Sequence, residues 1–200
     1  MQNSKGSQDI LTNGKVESKE PRKIRSLHSI AIEVSIYMIA LFFAAFIVPS
    51  FLLQRTVVDG DSMEPTLQNG ENLWVEKISN RFDKLKRFDV IVFYPYGKVN
   101  GEYFIKRIIG LPGETVQIIG ETIYINGDPL DEDYGKDPII FSGIATNELT
   151  LADDEYFVMG DNRTISFDSR YSKVGPVKKE NIAGKAFLII WPLSAFGTID

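Results

Sequence analysis

The chemistry open to this chain is narrowed first by its residue types, because it has no Cys and a single His. That removes disulfides, thiol nucleophiles and Cys-based zinc sites. His28 lies in a basic N-terminal stretch, so a serine-histidine triad in the folded part is excluded as well. A nucleophile here has to be a hydroxyl, and its base has to be something other than imidazole. Three segments offer such groups. Ser62 stands in Gly60-Asp61-Ser62-Met63-Glu64-Pro65-Thr66-Leu67. Lys106 opens Lys106-Arg107-Ile108-Ile109-Gly110-Leu111-Pro112-Gly113-Glu114, and Gly160-Asp161-Asn162-Arg163-Thr164-Ile165-Ser166-Phe167-Asp168-Ser169-Arg170 follows near the C-terminus. A lysine acts as a general base only when neutral, and at an ordinary pKa near 10.4 only about 0.04% is neutral at pH 7. Burial among apolar groups lowers that pKa, and lowering it by about 3 costs on the order of 4 kcal/mol. Taken singly, Ser62 reads as a turn residue and Lys106 as a side chain that snorkels its ammonium to water along an apolar stem.

The elements that must position these groups read as strands. Short β-rich runs alternate with turn residues at Arg55 to Val58, Asn72 to Lys77, Asp89 to Phe93, Glu102 to Ile109, Thr115 to Ile119, Thr122 to Ile125, Tyr156 to Met159 and Lys185 to Trp191. No long amphipathic helix competes with them, so the expected class is mainly β, an antiparallel β-sheet domain. Asn100-Gly101 and Asn126-Gly127 are the strongest hairpin signals, since a type I′ turn needs positive φ at both central residues. The apolar run from Ala186 to Leu193 is too short to cross a bilayer as a helix and reads as a core strand. Within Glu102 to Ile109, alternation puts Phe104, Lys106 and Ile108 on one face and Tyr103, Ile105, Arg107 and Ile109 on the other. Each face thus holds one cation among apolar side chains.

From Val34 to Leu53 the chain carries no charge, and 20 helical residues cover roughly 30 Å, the thickness of a bilayer core. Residues 1 to 29 contain six Lys or Arg and three Asp or Glu, a net +3, whereas the whole chain carries -5. The basic flank predicts a cytoplasmic tail over residues 1–29, a transmembrane anchor over 30–54 and an extracytoplasmic catalytic domain over 55–200. The expected location is therefore a cell membrane, single-pass, with the lipid bilayer as one partner. A cleaved signal peptide is the other reading of this run, with Val48 and Ser50 as its small-residue signature, but about 30 residues precede the run and it is longer than a usual signal core. Pro49 marks a kink or the end of the helix. The acidic main body argues against nucleic acid as a partner. Ser62 follows Leu53 by nine residues, so even an extended connector holds it within roughly 30 Å of the end of the apolar run.

Together the three segments resemble the type I signal peptidase family, membrane-bound serine endopeptidases that use a Ser-Lys pair. The resemblance covers about residues 22 to 190. Ser62, Met63, Pro65, Thr66 and Leu67 meet that family's nucleophile string, and Lys106 stands where its general base stands. The third segment matches throughout, which by analogy sets Ser166 against the lysine amine and makes Asp161, Asp168 and Arg170 structural supports; Arg107 is expected to pair with Asp161. The short outer domain is similar to the compact Gram-positive type. The resemblance implies signal-peptide-bearing secretory preproteins as substrates, cleaved after small residues, typically Ala one and three positions before the cut. Val58, Met63, Leu67, Phe104 and Ile105 are the expected substrate-binding residues. Two positions depart from the family pattern. Gly60 replaces a Ser whose hydroxyl helps to stabilise the oxyanion, so only a backbone group is available there beside the Ser62 N–H, and Phe88 replaces a commoner Gly before Asp89.

The acidic segment Asp131 to Asp137 fails the calcium-loop pattern, because Gly135 stands where a ligand is needed, and reads as a solvated loop. No metal or cofactor is expected. Two other functions fit parts of the pattern: a LexA-like self-cleaving Ser-Lys protease, disfavoured by the apolar anchor and the lack of a basic module, and a membrane-tethered binding domain without catalysis, disfavoured by the presence of both Ser62 and Lys106.

Overall fold

The computed structural model describes residues 27–47, 52–81 and 85–199. Two compact units divide at residue 42. The first contains helix α1, Leu27–Phe42, sixteen residues long. Its apolar side chains are exposed on every face, among them Ile32, Ile36, Met38, Ile39 and Leu41. The apolar stretch continues as a π-helical turn over Phe43–Ile47, and residues 48–51 lie outside the described ones. Among the described residues no helix is long and apolar enough to cross a membrane. The expected helical run to Leu53 is corrected at its C-terminal end, because Leu53 already belongs to the first strand, where it pairs with Glu76. Pro49, which falls among the residues not described, was the sequence signal for a stop in this region.

The second unit is built from antiparallel strands, as the alternation of β-branched and aromatic residues with turns implies. The strands are β1 Leu53–Val57, β2 Asn72–Glu76, β3 Val90–Phe93, β4 Phe104–Gly110, β5 Thr115–Ile119, β6 Thr122–Ile125, β7 Asp128–Pro129, β8 Leu149–Thr150, β9 Glu155–Met159, β10 Val177–Lys178, β11 Ile182–Trp191 and β12 Gly197–Thr198. The larger sheet runs β1-β2-β11-β3-β4-β9-β10, with β12 added against β11; the smaller runs β7-β6-β5-β8. The ten-residue β11 pairs with both β2 and β3 and is bulged against each, which lets one strand bend as the sheet curls. Each of the longer strands read from the sequence is present with its ends shifted by at most three residues, whereas the two-residue strands were not foreseen.

The two Asn-Gly signals have different outcomes. Asn126 and Gly127 both take positive φ, at 54° and 86°, and close the tight β6–β7 hairpin with Ile125 opposite Asp128. Asn100-Gly101 does not form such a hairpin: Lys98–Asn100 make a short 3-10 turn that Gly101 ends at φ 71°. The ten residues between β3 and β4 are too many for a two-residue turn, so the glycine caps a turn of helix instead.

Strand β4 is the organising element. Its Ile105 enters a core with Val58, Met63, Leu67, Leu73 and Val75. Ile109 enters a second core with Val116, Ile118, Phe157 and Met159, while Ile108 enters a third with Ile91, Phe93 and Val158. A strand packed on both faces in three clusters has little freedom to shift. The polar side chains it carries are held correspondingly still.

Candidate active site

Antiparallel register brings the second and third segments together. Arg107 lies opposite Met159 and Ile108 opposite Val158, so the chain leaving β9 at Gly160 turns beside Lys106 and Arg107. The first segment arrives as a turn after β1. Leu67 N–H bonds Met63 O at 2.9 Å and Asn162 N–H bonds Ser62 O at 3.1 Å, which fastens the turn to the third segment.

At the junction Lys106 Nζ and Ser62 Oγ are 2.6 Å apart. Lys106 is only 4% exposed. The snorkelling alternative is thereby corrected, since strand β4 directs this side chain under the Ser62 turn and against Phe104, whose ring centroid is 5.4 Å from the amine. Burial pushes the Lys106 pKa down to about 8; Asp168 and Asp161 pull in the opposite direction, and Arg170 assists the lowering. Those two carboxylates do not contact the amine. Asp161 is taken up by Arg107 through two bonds of 2.9 and 2.7 Å, and Asp168 by Arg170 through two bonds of 2.8 and 2.9 Å. Each acid is neutralised by its own buried arginine, so neither holds the lysine as a cation. Thr66 completes the first pair by donating its hydroxyl to Asp161 Oδ2 at 2.6 Å.

The third segment is a tightly bonded loop. Gly160 N–H is shared between Ser166 Oγ and Asp168 Oδ2, both at 3.1 Å. Ser166 Oγ is therefore engaged with Gly160, and among the described residues the one hydrogen bond of the Lys106 amine is with Ser62. A side chain at Gly160 is impossible without rearrangement: a Cβ there would lie 2.3 Å from Ser166 Oγ and 2.4 Å from Ser62 O. Gly60 answers a different demand. Its φ of 92° is a conformation that L side chains rarely adopt, and its N–H donates to Asn69 Oδ1 at 3.0 Å. That N–H is thus occupied, whereas Ser62 N–H has no partner among the described residues.

A cleft of about 420 Å³ opens over the pair, lined by Val58, Met63, Phe104, Ile105, Ile165 and Phe167 among others. Leu67 does not reach it. The turn from Met63 to Leu67 rotates this side chain into the first core, where it is fully buried. Ile165 and Phe167, which sequence reasoning passed over, come from the third segment and lie across from β4. The acidic segment Asp131 to Asp137 is also corrected. Five of its seven residues are solvated, but Glu132 and Tyr134 are partly buried: Glu132 accepts two bonds of 2.6 and 2.9 Å from buried Arg163, and the Tyr134 ring lies 3.7 Å from the Arg107 guanidinium. Lys136 N–H reaches Asp161 O at 2.8 Å, so the segment straps the third segment to the sheet. Phe88, at φ 72°, packs on Tyr134 with centroids 5.0 Å apart and gives its carbonyl to Arg107. Its φ lies in the left-handed region that favours glycine.

A model of the family described as signal peptidase, peptidase S26, matches residues 31–191. The chain belongs to this family. It is 38% identical over 156 residues to signal peptidase I of Leptolyngbya laminosa, a match that covers 75% of this chain and 74% of that one. It is 33% identical over 193 residues to probable signal peptidase I-2 of Synechocystis sp., with 94% and 86% covered. A solved signal peptidase I from Enterococcus faecalis V583 is 42% identical over 51% of this chain and 96% of its own, with a TM-score of 0.42. Membership makes the chain a protease of the signal peptidase I type. The S26 match spans all three segments, so the family assignment and the cluster around Lys106 concern the same part of the chain.

Proposed function

We propose that this S26 protease removes signal peptides from secretory preproteins with Ser62 as nucleophile and Lys106 as general base. The observation that carries this reading is the 2.6 Å contact between Ser62 Oγ and a buried amine whose pKa is depressed to about 8. At that pKa about 9% of the lysine is neutral at pH 7, roughly 300-fold more than at its ordinary value of 10.5. The neutral amine accepts the Ser62 proton as Oγ attacks the scissile carbonyl. Charge that develops on the carbonyl oxygen is met by the unengaged Ser62 N–H. The lysine then gives its proton to the departing amine of the mature chain. Water, activated by the same amine, hydrolyses the ester and frees the signal peptide carboxylate.

Ser166, Asp161, Asp168, Arg107 and Arg170 act as supports that shape the surroundings of the amine, and Gly60 shapes the turn that presents Ser62. Val58, Met63, Phe104 and Ile105 form a shallow apolar wall that suits small residues before the cut, Ala above all, and an extended peptide can lie along it. The apolar segment from residue 30 up to the start of β1 at Leu53 is the membrane anchor, with the basic tail on the cytoplasmic side and the catalytic unit outside. Its lack of charge from Val34 onward and the all-round apolar surface of α1 support that role.

The test is cleavage of a labelled secretory precursor in detergent, with N-terminal sequencing of the product. The intact enzyme should cut after an Ala-x-Ala type sequence, while Ser62→Ala and Lys106→Arg should not, since a guanidinium stays protonated. Turnover by either variant would contradict the reading.

A further inference from the structure

Asn162 is the only residue among those described with a buried side-chain polar atom left without a hydrogen bond, its Oδ1. Leaving a buried acceptor unpaired costs about 1–3 kcal/mol, so the amide is not there for stability. Its other half is used. Asn162 Nδ2 donates to Asp61 O at 3.3 Å, and Glu64 N–H donates to the same oxygen at 3.2 Å. The reverse orientation of the amide would press Oδ1 against that carbonyl, two acceptors face to face, so the chemistry fixes which atom points at Asp61. In a trans peptide the C=O of one residue and the N–H of the next point in opposite directions. Holding Asp61 O from the side of Asn162 therefore turns Ser62 N–H the other way. The Asn162 backbone secures the next peptide as well, since its N–H bonds Ser62 O at 3.1 Å.

From this we infer that Asn162 is a positioning residue whose side chain fixes the Asp61–Ser62 peptide, aiming the Ser62 N–H at the oxyanion that forms during peptide cleavage. The inference rests on the Ser62 reading above. It matters more here than in a site with two donors, because the Gly60 N–H is occupied by Asn69 and position 60 carries no hydroxyl. Asn162 makes no hydrogen bond to Lys106 and does not itself line the cleft; it reaches the cleft only through the backbone of Asp61 and Ser62. Its loss should therefore act on the transition state, with little effect on substrate binding or on the protonation of the base.

The experiment compares Asn162→Leu and Asn162→Asp with the intact enzyme on a precursor substrate, measuring kcat, KM, the pH midpoint and thermal unfolding. Leu removes the donor together with the unpaired acceptor, and the backbone N–H to Ser62 O survives in both variants. Asn162→Leu should lower kcat about 10- to 100-fold, part of what the loss of a whole oxyanion donor costs. Its KM should stay within about twofold, its pH midpoint should not move, and its unfolding temperature should not fall; a purely structural role would move stability and activity together. Asn162→Asp keeps the shape without the donor, and its kcat measured on the alkaline plateau should be reduced similarly, which keeps the test decisive if the Leu variant does not fold. Wild-type kcat in either variant, or a loss explained by unfolded protein or by a shifted pH midpoint, would overturn the inference. Ser62→Ala run in parallel separates the two failures: if it still cleaves, the Ser62 reading falls, whereas an inactive Ser62→Ala beside a fully active Asn162→Leu removes only the role of Asn162.

Discussion

Lys106 Nζ and Ser62 Oγ, 44 residues apart in the chain, meet at 2.6 Å in a site where the two nearby acids, Asp161 and Asp168, are each bound by a buried arginine. The amine is thus desolvated without gaining a direct ionic partner. Folding works against its charged form, and the protein bears that cost wherever the lysine is protonated. With the pKa lowered from 10.5 to about 8, the folded state binds fewer protons than the unfolded chain between those two values. Stability therefore rises with pH across that window and is lowest, with respect to this group, below pH 8. Lys106→Met should be more stable than the intact protein at pH 7 by up to about 3 kcal/mol, and the difference should shrink to nothing as pH approaches 10.5. Unfolding followed against denaturant at several pH values checks this. Equal stability of the two proteins at pH 7 would contradict it.

The Arg107–Asp161 pair has no exposure on either side. Removing one partner leaves a buried charge without compensation, at a cost of about 3–5 kcal/mol. Asp161→Ala should therefore unfold at a far lower temperature than the intact enzyme, whereas Lys136→Ala, which breaks a solvent-facing pair with Glu64, should leave the unfolding temperature nearly unchanged. Differential scanning calorimetry of the two variants separates the cases.

Two glycines in the site should fail differently. Gly160→Ala places a methyl inside contact distance of Ser62 O and Ser166 Oγ and should displace the Ser62 turn, abolishing precursor cleavage. Around Gly60 there is open space for a Cβ, so Gly60→Ala bears only backbone strain, about 1 kcal/mol or more from its positive φ. Measured together, kcat and unfolding temperature should show the first variant crippled in activity and the second lowered mainly in stability.

Tyr134 lies over the Arg107 guanidinium in a position where water is scarce. Tyr134→Leu should keep much of the apolar contact with Phe88 yet lose the cation–π attraction, a cost of about 1–2 kcal/mol at a desolvated site. A double-mutant cycle with Phe88→Leu should give a coupling energy clearly different from zero, since the two rings touch.

The legible parts of this molecule were those whose determinants are contiguous. Ser62, Lys106 and the segment from Gly160 to Arg170 stand in short strings whose residue types already suggest their chemistry, and Asn126-Gly127 dictates its own hairpin through backbone preference alone. Asn100-Gly101 has the same local preference but a longer connection to bridge, and length decided the outcome. Leu67 looked like a cleft residue because it belongs to the nucleophile string, yet the turn at Met63 sends it to the core. The segment from Asp131 to Asp137 looked solvated because it is rich in charge. Its inward-facing residues, Glu132 and Tyr134, find Arg163 and Arg107, partners that are distant in sequence and therefore invisible to local patterns. Asn162 lay within a matched string, but its importance depends on which way the Asp61 carbonyl points, a fact only the folded backbone supplies.

The central claim, a neutral Lys106 that removes the Ser62 proton, is tested most directly by changing the basicity of that one amine. The chain contains no cysteine, so Lys106→Cys introduces a unique thiol that can be aminoethylated to a lysine analogue whose amine is intrinsically less basic. Lys106→Cys should be inactive, aminoethylation should restore precursor cleavage, and the pH-rate profile, which for the intact enzyme should rise with a midpoint near 8, should move to lower pH. Activity before alkylation, or a restored enzyme whose midpoint is unmoved, would contradict the account.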